Sequence, residues 1–162
     1  MIIINVNPKR DLVFNIKVHE SCKSCKRYGR TGCCPPNIGE FDYYRKLLPQ
    51  YKYGKLFIET FSIQKNMAIA EMGKESSLKL HRILLTERKK LFENGHYFNI
   101  ILGGGSCKWC KKCTIPCKLP QFRAIPIEAT GIDVVTVLSH YNVTIKFPVD
   151  TMFYRVGAIL WD

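Results

Sequence analysis

Apolar residues recur along the chain in two periods. Ile2–Val6 is a short apolar run, and Leu12, Phe14, Ile16 and Val18 alternate with other residues, so both stretches predict strands, with Asn7-Pro8-Lys9 as the turn between them. Gly39–Gln50 carries Phe41, Tyr44, Leu47 and Leu48 at helical spacing and stops near Pro49. Lys55–Ile63 predicts a further strand, bounded by Gly54 and the polar Gln64-Lys65-Asn66. The longest periodic stretch, Asn66–Asn94, lines up Ile69, Met72, Leu80, Ile83, Leu84 and Leu91 on one helix face; Gly73 is expected to break it, with Ser76 or Ser77 recapping, and Gly95 to end it. His96–Leu102 predicts a strand, Glu128 to about His140 a helix, and Val143–Phe147 and Phe153–Trp161 the closing strands. The fold class that follows is α+β. Residues 1–162 form a single mixed β-sheet domain with a β-α-β core, helices packed on the sheet, and two cysteine-rich metal-binding loops. No Gly-, Ser- or Pro-rich linker divides it.

The polar gaps in this pattern hold the chemistry. Cys107, Cys110, Cys113 and Cys117 follow the spacing C-x2-C-x2-C-x3-C directly after Gly103-Gly104-Gly105. Bacterial-type ferredoxin segments use that spacing, because two residues between thiolates let a curled loop present three sulfurs to the corners of a compact cluster. Glycines ahead of the loop let backbone N–H groups come close to sulfur. A structural zinc ion is more often held by two separated pairs, so the segment favours a [4Fe–4S] cluster, with Zn2+ as the alternative. The same glycines match neither phosphate-binding pattern, since Gly-Lys-Ser/Thr and G-x-G-x-x-G are both absent. Cys22, Cys25, Cys33 and Cys34 form the second group. Pro35 is expected to hold Cys34 extended, and adjacent side chains of an extended chain point to opposite sides, so Cys34 is taken as a ligand and Cys33 as a bystander.

Seven ligand cysteines (Cys22, Cys25, Cys34, Cys107, Cys110, Cys113 and Cys117) divide as four and three. They predict one or two clusters, the second with an open iron, and leave open whether the two segments exchange their fourth ligands. His19, three residues before Cys22, is a weaker candidate, and Glu20, Glu128 and Asp133 are the acids nearest the motifs. His81, His96 and His140 have no partner that spacing names. Trp109, between two ligands, reads equally as a shield for the centre and as an anchor for its loop.

Charge changes the picture only in part. The chain has 25 basic and 13 acidic residues, a net charge of +12. Lys17, Lys23, Lys26, Arg27 and Arg30 surround the first cysteine group, and Lys108, Lys111, Lys112 and Lys118 interleave the second, so some of the excess compensates thiolates. The remainder suits an acidic redox partner protein or an anionic small molecule. Basic residues spread along the whole chain rather than forming a stripe, which argues against nucleic acid. No apolar run reaches the length of a bilayer span and the start is too short for a signal h-region, so a reducing, cytoplasmic setting is expected for the eight thiols.

The motifs resemble a family of small proteins from anaerobes known as domain of unknown function 2284. The matching residues are Cys22-Lys-Ser-Cys25, Tyr28-Gly29, Cys34-Pro35-Pro36, Gly103 to Cys107, Cys110, Cys113, Cys117, Pro120, and Glu128-Ala129-Thr130-Gly131-Ile132-Asp133-Val134. The resemblance spans most of the chain and implies a metal or iron–sulfur site, without a reaction. Electron transfer or redox sensing is the expected role. A cluster-dependent enzyme of lyase or sulfur-transfer type and a structural zinc interaction module are the alternatives.

Overall fold

The computed structural model describes residues 1–63, 68–145 and 152–162. Five strands build one mixed sheet: β1 (Ile2–Val6), β2 (Tyr53–Ser62), β3 (Asn99–Gly103), β4 (Ile125–Pro126) and β5 (Met152–Trp161), in the order β1-β2-β5-β3-β4. β5 lies in the middle, antiparallel to β2 from Tyr53↔Trp161 to Ser62↔Met152 and antiparallel to β3 from Asn99↔Trp161 to Leu102↔Ala158. β2 and β3 therefore run in the same sense, and helix α4 (Ile69–Glu93) connects them. This is the expected β-α-β core, with the last strand inserted between its two strands.

Period-two alternation sorts the strand residues between two faces. Leu56, Ile58, Leu102, Val156, Ala158 and Leu160 point to one side, where they join Tyr44, Leu48, Val137 and Leu138 in the larger core cluster. That side is covered by the short helices α1 (Pro8–Asp11), α3 (Phe41–Leu47) and α5 (Val134–Ser139). Phe57, Ile101 and Ile159 point to the other side and meet Leu80 and Leu84 of α4. β5 is buried on both faces and reads accordingly as the unbroken apolar run Val156–Leu160.

Four expected elements differ. Leu12–Val18 is not a strand. Asn7 accepts N–H bonds from Lys9 and Arg10 at 3.1 and 3.2 Å and caps α1 with Pro8 in its first turn; Asn15 then caps α2 (Ile16–Ser21) through Lys17 N–H at 3.0 Å. Only Phe14 keeps a bridge, to Ile132. Gly73 does not break α4. Its carbonyl accepts from Ser76 Oγ and from the Arg155 guanidinium, both at 3.2 Å, so β5 clamps the helix where the interruption was expected. The helix expected from Glu128 is divided: a 3-10 turn at Glu128–Thr130 ends at Gly131, whose φ of +84° is left-handed, and α5 starts afresh with Asp133 as its cap. Val143–Ile145 is irregular, while 146 and 147, the polar segment 64–66, residue 67 and the side chain of Ile69 fall outside the described residues.

Candidate metal centre

The sheet places both cysteine groups at one edge. β3 ends at Gly103 and releases the chain directly into Gly104–Cys117, and β4 recovers it beside β3 in parallel through Leu102↔Ile125. The first group follows α2: Cys22–Ser24 is a 3-10 turn, and residues 26–38 run as consecutive turns and bends. These two segments, some eighty residues apart, dock on each other through sulfur. Gly32 N–H donates to Cys113 Sγ at 3.3 Å, and Cys107 N–H donates to Cys33 Sγ at 3.2 Å. Arg123 reinforces the joint by donating to the Gly32 carbonyl at 3.1 Å. Contact this close needs a residue without a side chain: a Cβ at Gly32 would stand 2.8 Å from the Thr114 carbonyl oxygen and 3.1 Å from Cys117 Cβ.

One narrow cavity gathers Cys107, Cys110, Cys113 and Cys117, with Cys33 on its wall and Trp109, Leu119 and Phe122 as its apolar rim. The free space there is about 20 Å³, room for a single water-sized centre. Among the described residues, no three His, Cys, Asp or Glu side chains stand as a ready single-ion shell. The donor set nevertheless fits a thiolate-bound metal or cluster: sulfur donors predominate, and the backbone N–H groups of Gly32 and Arg27 already point at Cys113 and Cys25. All eight cysteines are unpaired.

Cys33 departs from expectation. Residues 31–34 form a turn closed by Cys34 N–H to the Thr31 carbonyl at 3.3 Å, so the two neighbouring side chains do not diverge; their sulfurs are 3.8 Å apart. Both are buried. The Cys33 thiol is held protonated: its hydrogen bond to Cys34, and then burial, push it far up. The same bond lowers Cys34, against burial and the nearby Cys22 and Cys25. Cys34 is thus the better prepared thiolate of the pair, with Cys33 as its donor. Cys22 is raised by burial, then by Glu128 and Cys25. Cys107 is raised by burial as well, while backbone bonds to Trp109 and Ala124 oppose the rise. Cys22 thus feels both Cys25 and Glu128, and Cys34 feels Cys22 and Cys25.

The remaining candidates sort by partner. His19 commits Nδ1 to the Ala129 carbonyl at 2.7 Å, Glu20 pairs with exposed Lys23, and Asp133 caps α5 through Thr136 N–H at 3.1 Å. Glu128 keeps solvent access although protein surrounds it closely, as on the wall of a cleft; that enclosure raises its carboxyl, against its own backbone, Arg155 and Gly105. Spacing gave no sign of His81. It is buried in α4, donates Nε2–H to the Phe122 carbonyl at 2.8 Å, and turns Nδ1 toward Cys107 Sγ at 3.9 Å. Burial lowers its pKa and favours the neutral ring. Trp109 stacks on Phe122, 5.5 Å between ring centroids and 14° between planes, and its ring is 5.3 Å from that of His81. It serves as anchor and rim together.

Fold and site define a cysteine-rich α+β metal-binding domain. The chain belongs to the family described as predicted metal-binding protein (DUF2284), whose family model matches residues 6–161. No curated protein and no solved structure matches it. No helix among the described residues is long and apolar enough to cross a membrane.

Proposed function

We propose that the metal of this domain is a [4Fe–4S] cluster held by Cys107, Cys110, Cys113 and Cys117, and that the protein works in electron transfer or redox sensing. The observation that carries this is that all four cysteines, in ferredoxin-like spacing, line one narrow cavity together with Trp109, Leu119 and Phe122, with Gly32, Cys33 and Arg123 completing its wall. Such a cluster exchanges single electrons at a potential set by hydrogen bonds to its sulfurs and by exposure. This chain supplies those bonds from Gly32 and, one layer out, from Cys107 N–H through Cys33. Because the four sulfurs of the second segment share a cavity, the reading prefers a cluster within that segment over an exchange of fourth ligands.

Cys22, Cys25 and Cys34 with Glu128 form the proposed second centre. Three thiolates leave a coordination position for a carboxylate or an outside ligand, and this favours the cluster-dependent enzyme as the second reading. The unpaired thiols suit a reducing, cytoplasmic setting, and the +12 charge suits an acidic redox partner.

Anaerobic purification followed by iron, zinc and acid-labile sulfide analysis tests the proposal. About four iron and four sulfide per chain mean one cluster and about eight of each mean two, with broad absorption near roughly 400 nm. Colourless protein with stoichiometric zinc and no sulfide refutes the cluster and leaves a structural zinc module.

A further inference from the structure

A second, wider cavity adjoins the one lined by all four cysteines of the segment and shares Cys107, Cys110 and Cys113 with it. It has a volume of about 840 Å³ and opens between the first half of α4 and the loop that follows β3, so that the cysteine segment forms one wall. Small-molecule sites commonly occupy roughly 300–1,000 Å³. Six cations line it: Arg27, Lys74, Arg82, Lys108, Lys111 and Arg155. No Asp or Glu does.

These cations come from four separate parts of the fold, so their convergence is a product of tertiary structure. Lys74 and Arg82 stand on the same side of α4, eight residues apart, with Ser77 between them. Arg155 rises from β5 and is held in place on its inner edge, where Nε donates to Ser76 Oγ at 3.0 Å and a terminal nitrogen donates to the Gly73 carbonyl at 3.2 Å. Arg27 belongs to the first cysteine segment, and Lys108 and Lys111 to the second. Glu128 acts on Arg155 from outside the lining, which leaves the other five cations without an acid on the cavity wall; their mutual repulsion opposes folding, a cost that binding an anion removes. Trp109 adds an aromatic surface to the same cavity.

We infer that this cavity binds a small organic phosphate, its phosphate on the cations of α4 and β5 and its organic part toward Trp109, next to the cysteine centre. The concave shape and a volume near that of a cofactor-sized molecule distinguish it from the flat electropositive surface that a nucleic-acid backbone or a partner protein would use. The inference goes beyond the cluster reading and holds whichever metal the cysteines carry.

Calorimetric titration of the metal-containing protein with phenyl phosphate, beside inorganic phosphate and a twelve-residue oligothymidylate, tests it. The expected result is saturable 1:1 binding of phenyl phosphate, about tenfold tighter than inorganic phosphate. The K74A/R82A protein should lose at least about tenfold, because each charge-assisted contact contributes on that scale. A K46A/K89A protein, with the same loss of charge on exposed helix positions outside the cavity, should change less than twofold. Iron, sulfide and zinc are counted in every sample. No saturable binding overturns the inference, as does an equal loss in both double variants, which would mean diffuse attraction. Phenyl phosphate no tighter than phosphate removes the organic ligand, and tighter 1:1 binding of the oligonucleotide replaces it with a nucleic acid. If K74A/R82A loses metal together with binding, K74A alone provides the second test: weakened binding at full metal content supports the site, and unchanged binding overturns it. A colourless zinc protein that still binds phenyl phosphate would defeat the cluster and leave this inference standing.

Discussion

Cys33 illustrates how much a single side chain can alter a ligand assignment. Its sulfur accepts Cys107 N–H, is 3.8 Å from Cys34 Sγ, and lies on the wall of the four-cysteine cavity. We assign it a supporting role between the two cysteine segments. Cys110→Ser and Cys113→Ser should each remove the four-thiolate centre, halving or abolishing sulfide per chain. Cys33→Ala should retain the metal but lower its retention during gel filtration, because Cys107 N–H loses its acceptor. Equal metal loss in all three variants would make Cys33 a ligand. A second residue, remote from the site, gives a pH prediction. Asp11 accepts Arg10 Nε at 2.7 Å, Asn7 N–H at 2.7 Å and Tyr141 O–H at 2.6 Å. Arg10 first, opposed by burial and helped by Tyr141 and Asn7, lowers its pKa from 3.8 to about 2. A folded pKa below the unfolded one contributes stability above about pH 4 and loses it as pH falls toward 2. The Arg10 side chain is largely exposed, so the contribution is set at about 1 kcal/mol after allowing for solvent screening. Urea unfolding of Asp11→Asn should show that deficit at pH 7 and a smaller one at pH 3; a deficit independent of pH would place the effect in packing.

At the scale of elements, the long apolar patterns were readable and the short ones were not. β1, β2, β3, β5, α3 and α4 follow the runs and periods expected of them because each buries a face against the sheet. Leu12–Val18 misled because alternation over so few residues also fits an extended link running into a short helix, and the Asn15 cap decides the matter. Gly131 carried the signal that divides the stretch after Glu128, but a glycine among good helix positions can be read either way. The cysteine spacing was legible because it is local. The docking of the two cysteine segments, the turn that brings Cys33 and Cys34 together, and the approach of His81 to Cys107 are contacts between distant residues, and spacing does not encode them. Gly32→Ala isolates that docking. A methyl group there meets backbone, so the segments must separate, at a cost of about 1–3 kcal/mol for overpacking. The expected outcome is a large loss of bound metal with a small fall in Tm. Full metal content in this variant would show that the joint is unnecessary.

At the scale of the whole molecule, the site and the core are separate structures. Neither core cluster contains a cysteine. Removing the metal with a chelator under reducing conditions should therefore leave amide protection in β2 and β5 intact, while amides of 22–38 and 104–119 exchange freely. Hydrogen exchange followed by mass spectrometry reads both regions in one experiment, and global loss of protection would show that the metal holds the sheet together.

The central position of β5 has a consequence for synthesis. This strand links β2 to β3, yet it follows both cysteine segments in the chain. While a ribosome is still making residues 104–119, the β2 and β3 ladders have no partner between them, and the edge that carries the thiols does not exist. Pairings of such long sequence separation form late. The cysteine segments are thus made before the strand that joins β2 to β3, and they dock on a complete sheet only once residues 152–161 are in place.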